Sequence, residues 1–209
     1  TEVFQHFRIM MSRPENVRVE GGSLVIEGRK EPYEGFAYTS ASINTRGRFE
    51  FLYGRVEVRA KLPAGRGAWP AIWTLGTNRG KVRWPACGEI DIMENVGFAP
   101  LRIHASVHTA AYNHVAGTQK TAIVEIDDPS KDFHVYAMEW RAGRIDVFVD
   151  GRKYFTFENE GTGNDAWPFD KPQYLLINLA IGGMWGGQEG IDDSSFPQRY
   201  LVDYVRIYR

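Results

Sequence analysis

Tyr53-Gly54-Arg55-Val56-Glu57-Val58-Arg59-Ala60-Lys61-Leu62 alternates charged and apolar side chains. Successive side chains of a strand point to opposite faces, so this run predicts a half-buried antiparallel strand, apolar inward and charged outward. Asp132–Trp140 repeats the pattern. Arg144–Val149 and Lys153–Phe157 flank Asp150-Gly151, a pair that accepts positive φ and predicts a tight hairpin. Leu24–Arg29 alternates more weakly, and further strands are expected at Glu89–Glu94, Arg102–Thr109, Thr121–Ile126, Gln173–Ile181 and Leu201–Tyr208. No long window carries a helical stripe; one helical turn is expected near Asn164–Phe169. The 22 Gly and 10 Pro supply turns. Many short strands in 209 residues predict one all-β domain, a two-sheet sandwich or jelly roll.

Lys+Arg is 25 and Asp+Glu is 26, a net charge of -1. That balance excludes a polybasic nucleic-acid binder and an acidic disordered tail. No apolar run approaches the roughly 20 residues of a membrane-spanning helix. The single Cys87 excludes an intramolecular disulfide. The chain starts at Thr1 without a signal-peptide pattern and reads as a processed or excised domain. Aromatic residues make up 13%, with six Trp. Core packing and a sugar-stacking groove both explain that number.

The chemistry is concentrated in Gly88-Glu89-Ile90-Asp91-Ile92-Met93-Glu94. In a regular strand Glu89 and Asp91 share one face, but alternation would then bury Glu94. An unpaired ionised Glu in an apolar core costs several kcal/mol. A one-residue β-bulge near Ile92-Met93 resets the alternation and returns Glu94 to the acidic face. Three acids on one face repel one another, so at least one is expected to hold its proton near neutral pH. Retaining glycoside hydrolysis uses such a set: a carboxylate nucleophile and a protonated acid, about 5–5.5 Å apart. A solvated strand face or an acidic metal site fits the short motif equally.

Trp69 and Trp73, four apart in a strand-like run, face the same way; Trp84 precedes Glu89, and Trp185 sits in a Gly-rich loop. Indole is a flat partner for the C–H faces of sugars, so these four are read as cleft residues. Trp140 and Trp167 are read as core. His104 and His108 share a strand face, but the helical Glu of a zinc motif is absent. Gln119 is a further substrate-binding candidate. Gly161–Ala166 fits a dinucleotide fingerprint without the βαβ context it requires.

The chain resembles glycoside hydrolase family 16, most closely its bacterial laminarinases (endo-β-1,3-glucanases). Gly88–Asn95 carries the family pattern, as do Tyr53–Pro63, Trp69–Trp73, His104–Thr109, Asn178–Gly183 and Val202–Tyr208. The resemblance implies a β-jelly-roll sandwich with a concave substrate cleft. It implies Glu89 as nucleophile, Glu94 as general acid and then base, and Asp91 between them, tuning their proton affinities. The extra residue matches the branch that includes laminarinases, agarases and carrageenases; lichenases lack it. The resemblance also places His108 beside the acid/base, leaves His104 structural, and puts Asn44 and Arg48 in a segment that contacts sugars. It implies no cofactor for the chemistry, and a structural calcium held by Asp203 and the backbone near Gly22.

Thr1–Ser12 matches the family only loosely, so residues 1–209 read as one catalytic domain without the usual N-terminal strand region. The expected activity is a secreted, monomeric retaining endo-β-1,3-glucanase acting on β-glucan, with no nucleic-acid or membrane partner. Rivals are a β-1,3-1,4-glucanase or agarase-like galactan hydrolase of the same family, and a non-catalytic β-glucan-binding protein.

Overall fold

The structure is a computed structural model that describes residues 8–9 and 13–209. The loosely matching start, apart from residues 8–9, lies outside the described residues. Two antiparallel sheets hold nearly all the regular structure. The first runs in the order β1 (Arg8–Ile9), β5 (Ser42–Asn44), β14 (Gln173–Ile181), β7 (Ala68–Gly76), β8 (Glu89–Glu94), β9 (Arg102–His108), β10 (Lys120–Glu125). The second runs β13 (Arg152–Glu158), β12 (Arg144–Val149), β11 (His134–Arg141), β6 (Gly54–Lys61), β15 (Gln198–Tyr208), β3 (Ser23–Tyr33), β2 (Val17–Glu20), with β4 (Phe36–Thr39) paired to β3. Hairpin neighbours such as β7–β8–β9–β10 and β11–β12–β13 are joined by strands distant in sequence, as where β14 pairs with β7 and β15 with β6, the crossovers of a jelly roll.

The alternating runs do what their period requires. Val56, Val58 and Ala60 of β6 are fully buried, as are Tyr136 and Met138 of β11. They meet Ile72, Ile90, Ile103, Val107 and Ile177 from the first sheet in one core cluster. Trp140 and Trp167 belong to that cluster, and the Trp140 indole N–H donates to the Phe169 carbonyl at 3.1 Å. A buried indole needs such a partner. The segment 164–169 opens with the single turn expected there: the amides of Ala166 and Trp167 both donate to the Gly163 carbonyl. Trp167 and Phe169 pack on Phe157, and burial of these rings outweighs propagation of the turn.

The bulge lies in β8. Against β7, Asp91 pairs with Trp73 and Met93 with Ile72, so Ile92 is the extra residue. Against β9, the register shifts between Asp91 and Glu94. Ile92 and Met93 are both fully buried, and Glu94 returns to the face of Glu89 and Asp91. A bulge leaves ladder groups without their usual partners. Here the Tyr154 hydroxyl, reaching from β13 in the other sheet, donates to the Ile92 carbonyl at 3.4 Å.

Tyr154→Phe deletes that donor and keeps the ring. It is expected to lower unfolding stability by about 1 kcal/mol, read by denaturant titration, with the fold retained. Unchanged stability would show that the bulge carbonyl does not depend on Tyr154.

Candidate active site

The outer face of β8 and its neighbours forms a cleft of about 760 Å³. Glu89, Asp91 and Glu94 line it, because the bulge keeps all three on that face. Across β9 the register sets His108 opposite Glu89, Ser106 opposite Asp91 and His104 opposite Glu94. Trp69 and Trp73 come from β7 on the other side. Asp91 and His108 are only 3% and 6% exposed, so these charges sit in a poorly hydrated site.

Each catalytic-type glutamate receives an indole N–H. Trp84 Nε1 donates to Glu89 Oε2 at 2.9 Å, and Trp69 Nε1 donates to Glu94 Oε1 at 2.9 Å. His108, expected beside Glu94, lies instead opposite Glu89: its Nε2 is 3.2 Å from Asp91 Oδ2 and 4.0 Å from Glu89 Oε1, and His104 takes the place opposite Glu94.

Burial raises the proton affinity of all three acids. The Glu89 carboxyl is pushed well above its usual range by burial and then by the charge of Asp91; His108 and the Trp84 N–H oppose this. Asp91 is also pushed well up, by burial and then by the charge of Glu94, against a hydrogen bond shared with Glu89. Glu94 is raised by burial, against the Trp69 N–H and His108. Three such groups cannot all ionise at neutral pH; they titrate as one coupled set. The nearby imidazoles stay uncharged more readily than usual: burial lowers His104 and His114, helped by Arg102 and His108 respectively.

The predicted residues fall into three groups. Trp69, Trp73, Trp185, Gln119 and His108 line the cleft with the acids. Trp69 and Trp185 meet edge to face at 5.5 Å, and Trp73 donates to Asn178 Oδ1 at 2.7 Å. Trp84 packs on His108 and His114 while donating to Glu89, so it carries a polar bond in addition to any stacking. Asn44 and Arg48 do not line the part of the cleft around the acids, although Asn44 pairs with Leu176 and Leu176 with Trp73, which puts Asn44 on the same sheet face two strands along. Asn44 is buried and its Oδ1 accepts the Arg46 amide at 3.1 Å, which fixes the turn after β5. Arg48 is exposed on that same turn, on the far side of β14 and β7 from the acids.

His104, expected to be structural, faces the cleft and meets Trp185 edge to face at 4.9 Å. Its period-two match with Ser106 and His108 is the signal that places it there. His114, on the loop between β9 and β10, also lines the cleft, 5.0 Å from Trp84 and 5.1 Å from His108 between ring centres. No periodicity marks it. Buried Asn113 positions its loop, accepting the Ala116 amide and donating to the carbonyls of Thr109 and Ala110.

Residues 5–206 match the family described as glycosyl hydrolases family 16. The chain belongs to that family. It is a glycoside hydrolase. A beta-glucanase from Rhodothermus marinus is 53% identical over 205 residues, covering 95% of this chain and 72% of the relative. The solved laminarinase of Rhodothermus marinus superposes with a TM-score of 0.93 at 50% identity, covering 96% of this chain and 82% of that one. A non-specific endo-beta-1,3(4)-glucanase of family GH16, co-crystallised with an oligosaccharide, superposes with a TM-score of 0.92 at 50% identity, covering 95% and 79%.

The two indole donors give this glycoside hydrolase a testable pH signature. A hydrogen bond to a carboxylate favours its charged form, so removing the donor raises the pKa. Trp84→Phe is expected to move the acid limb of the kcat/KM profile to higher pH, by up to about one unit. An unmoved acid limb would show that Trp84 does not tune Glu89.

Proposed function

We propose that this enzyme is a retaining endo-β-1,3-glucanase that hydrolyses laminarin-type β-glucans by double displacement. The observation that carries the reading is the convergence of Glu89, Asp91 and Glu94 on one cleft, with an indole N–H on each glutamate. Support for the substrate comes from the beta-glucanase and laminarinase relatives.

The roles follow from the bonds each acid makes. Trp84 occupies Glu89 Oε2, which leaves Oε1 to attack the anomeric carbon. Trp69 occupies Glu94 Oε1, which leaves Oε2 to carry the proton to the departing glycosidic oxygen. Attack forms the Glu89–C1 ester as the C1–O bond breaks and the leaving oxygen takes the Glu94 proton. Glu94, now a carboxylate, removes a proton from water; the water oxygen bonds to C1 and Glu89 leaves. Asp91 shares a hydrogen bond with Glu89 and is the natural holder of the proton that Glu89 gives up before attack. Trp69, Trp73 and Trp185 offer ring faces and edges along the cleft. Gln119 adds a polar contact at its rim.

A second reading, cleavage of mixed β-1,3-1,4 linkages, is favoured by the likeness to the non-specific endo-beta-1,3(4)-glucanase. A polymeric substrate suits a secreted enzyme. Every site residue comes from one chain, which suits a monomer.

The reading also includes calcium on the second sheet. The pairing of Val202 with Leu24 brings Asp203 level with Ser23, next to Gly22 in the β2–β3 turn. Asp203 Oδ2 accepts from Arg59 at 2.7 Å, so Oδ1 is the oxygen left to a cation. One carboxylate oxygen with backbone carbonyls and water fits a low-charge calcium site. Calcium there would support the fold, far from the chemistry.

Three outcomes check these statements. Glu89→Ser is expected to abolish hydrolysis while oligosaccharide binding persists; full activity would sink the assignment. On a panel of laminarin, lichenan, curdlan and agarose, laminarin is expected to be cleaved fastest; inert laminarin with cleaved agarose would overturn the substrate. Added calcium is expected to raise the thermal midpoint of the wild type and not of Asp203→Ala; equal shifts would remove Asp203 as a ligand.

A further inference from the structure

We propose that Glu89, Asp91 and His108 also form an inhibitory binding site for a borderline-soft divalent cation, with zinc as the best match. One carboxylate oxygen from each acid and one ring nitrogen of His108 lie within 4.8 Å of one another. The closest pair, His108 Nε2 and Asp91 Oδ2, is 3.2 Å apart, and His108 Nε2 to Glu89 Oε1 is 4.0 Å. Ligands that share a tetrahedral zinc at about 2.0–2.2 Å lie roughly 3.3–3.6 Å from each other. The three atoms need only a small convergence to reach that spacing.

The acids alone would carry nothing; the buried polar atoms make the case. Asp91 Oδ2 is buried with no hydrogen-bond partner, despite its 3.2 Å approach to the imidazole. The ring N–H is therefore not aligned on it. His108 offers its Nε2 from the other side, so the Asp91 oxygen and a ring nitrogen flank one position. Asp91 and His108 are each more than nine-tenths buried, so water does not routinely satisfy these atoms. A buried oxygen 3.2 Å from a ring nitrogen, with no hydrogen bond between them, leaves a place for a third atom that binds both.

The donor set selects the ion. Two carboxylate oxygens and an imidazole nitrogen suit zinc, whereas calcium takes six to eight oxygens. Three protein ligands would leave the fourth zinc position open to the cleft, where water completes it. Trp84 already occupies Glu89 Oε2, so a cation on Oε1 leaves the nucleophile no oxygen to offer. The zinc-bound enzyme is then inactive, and zinc competes with substrate.

The test is calorimetric titration of the calcium-saturated full chain with zinc chloride, without substrate. One zinc per chain is expected, with affinity about tenfold or more weaker in His108→Gln and Asp91→Asn. Glu94→Gln, which leaves the three ligands in place, is expected to keep the affinity. Cobalt(II) serves as a probe of the wild type that needs no variant: a tetrahedral visible absorption band, displaced by zinc, is expected. Activity lost to zinc is expected to return on chelation and refilling with calcium. Absence of zinc binding, equal affinity in wild type and His108→Gln with both folded, or an octahedral cobalt spectrum would overturn the proposal. None of these results depends on which glucan the enzyme cleaves.

Discussion

The extra residue at Ile92 decides which way Glu94 points. Without a shift of register, the strand that presents Glu89 and Asp91 would drive Glu94 into the core, among Ile90, Met138 and Val147. Burial of an unpaired carboxylate there would cost several kcal/mol. The bulge instead buries Ile92 and Met93 in succession and puts three carboxyls on one face. Everything else at the site follows from that placement: His104, Ser106 and His108 face the acids through the β9 register. The carbonyl left over at the bulge is met from the opposite sheet by Tyr154.

The same geometry sets the electrostatics. The cleft is deep enough that desolvation is the first cause of the raised proton affinity at Glu89, Asp91 and Glu94 alike. Mutual repulsion adds to it, so the site holds protons that an exposed strand face would lose. Two tryptophans moderate the effect by donating to the outer glutamates. The result is a set able to keep one acid charged and another protonated at the same pH, which double displacement requires.

Much of this was legible in the sequence because strand physics is local. The period-two runs gave β6, β11, β12 and β13, and the cost of burying Glu94 pointed to the bulge before any pairing was known. The resemblance to family 16 supplied the roles. Other features depend on contacts between distant segments. His114 reaches the cleft because Asn113 fixes its loop, and Tyr154 meets Ile92 across the core; neither leaves a local pattern. The bond by which Asn44 fixes the turn after β5, accepting the Arg46 amide, leaves no local pattern either. The positions of Trp69, Trp73, Trp84 and Trp185 pointed to a groove, but not to two indoles that aim their N–H groups at the glutamates.

The central claim is that Glu89 is the residue that bonds to the sugar, with Glu94 brought into register by the bulge. Trapping the intermediate tests it most directly. The enzyme is incubated with a slow, 2-fluoro-substituted β-1,3-glucoside bearing a good leaving group, digested, and its peptides mapped by mass spectrometry. The account predicts one labelled peptide, with the sugar on Glu89. A label on Asp91 or Glu94 would contradict it.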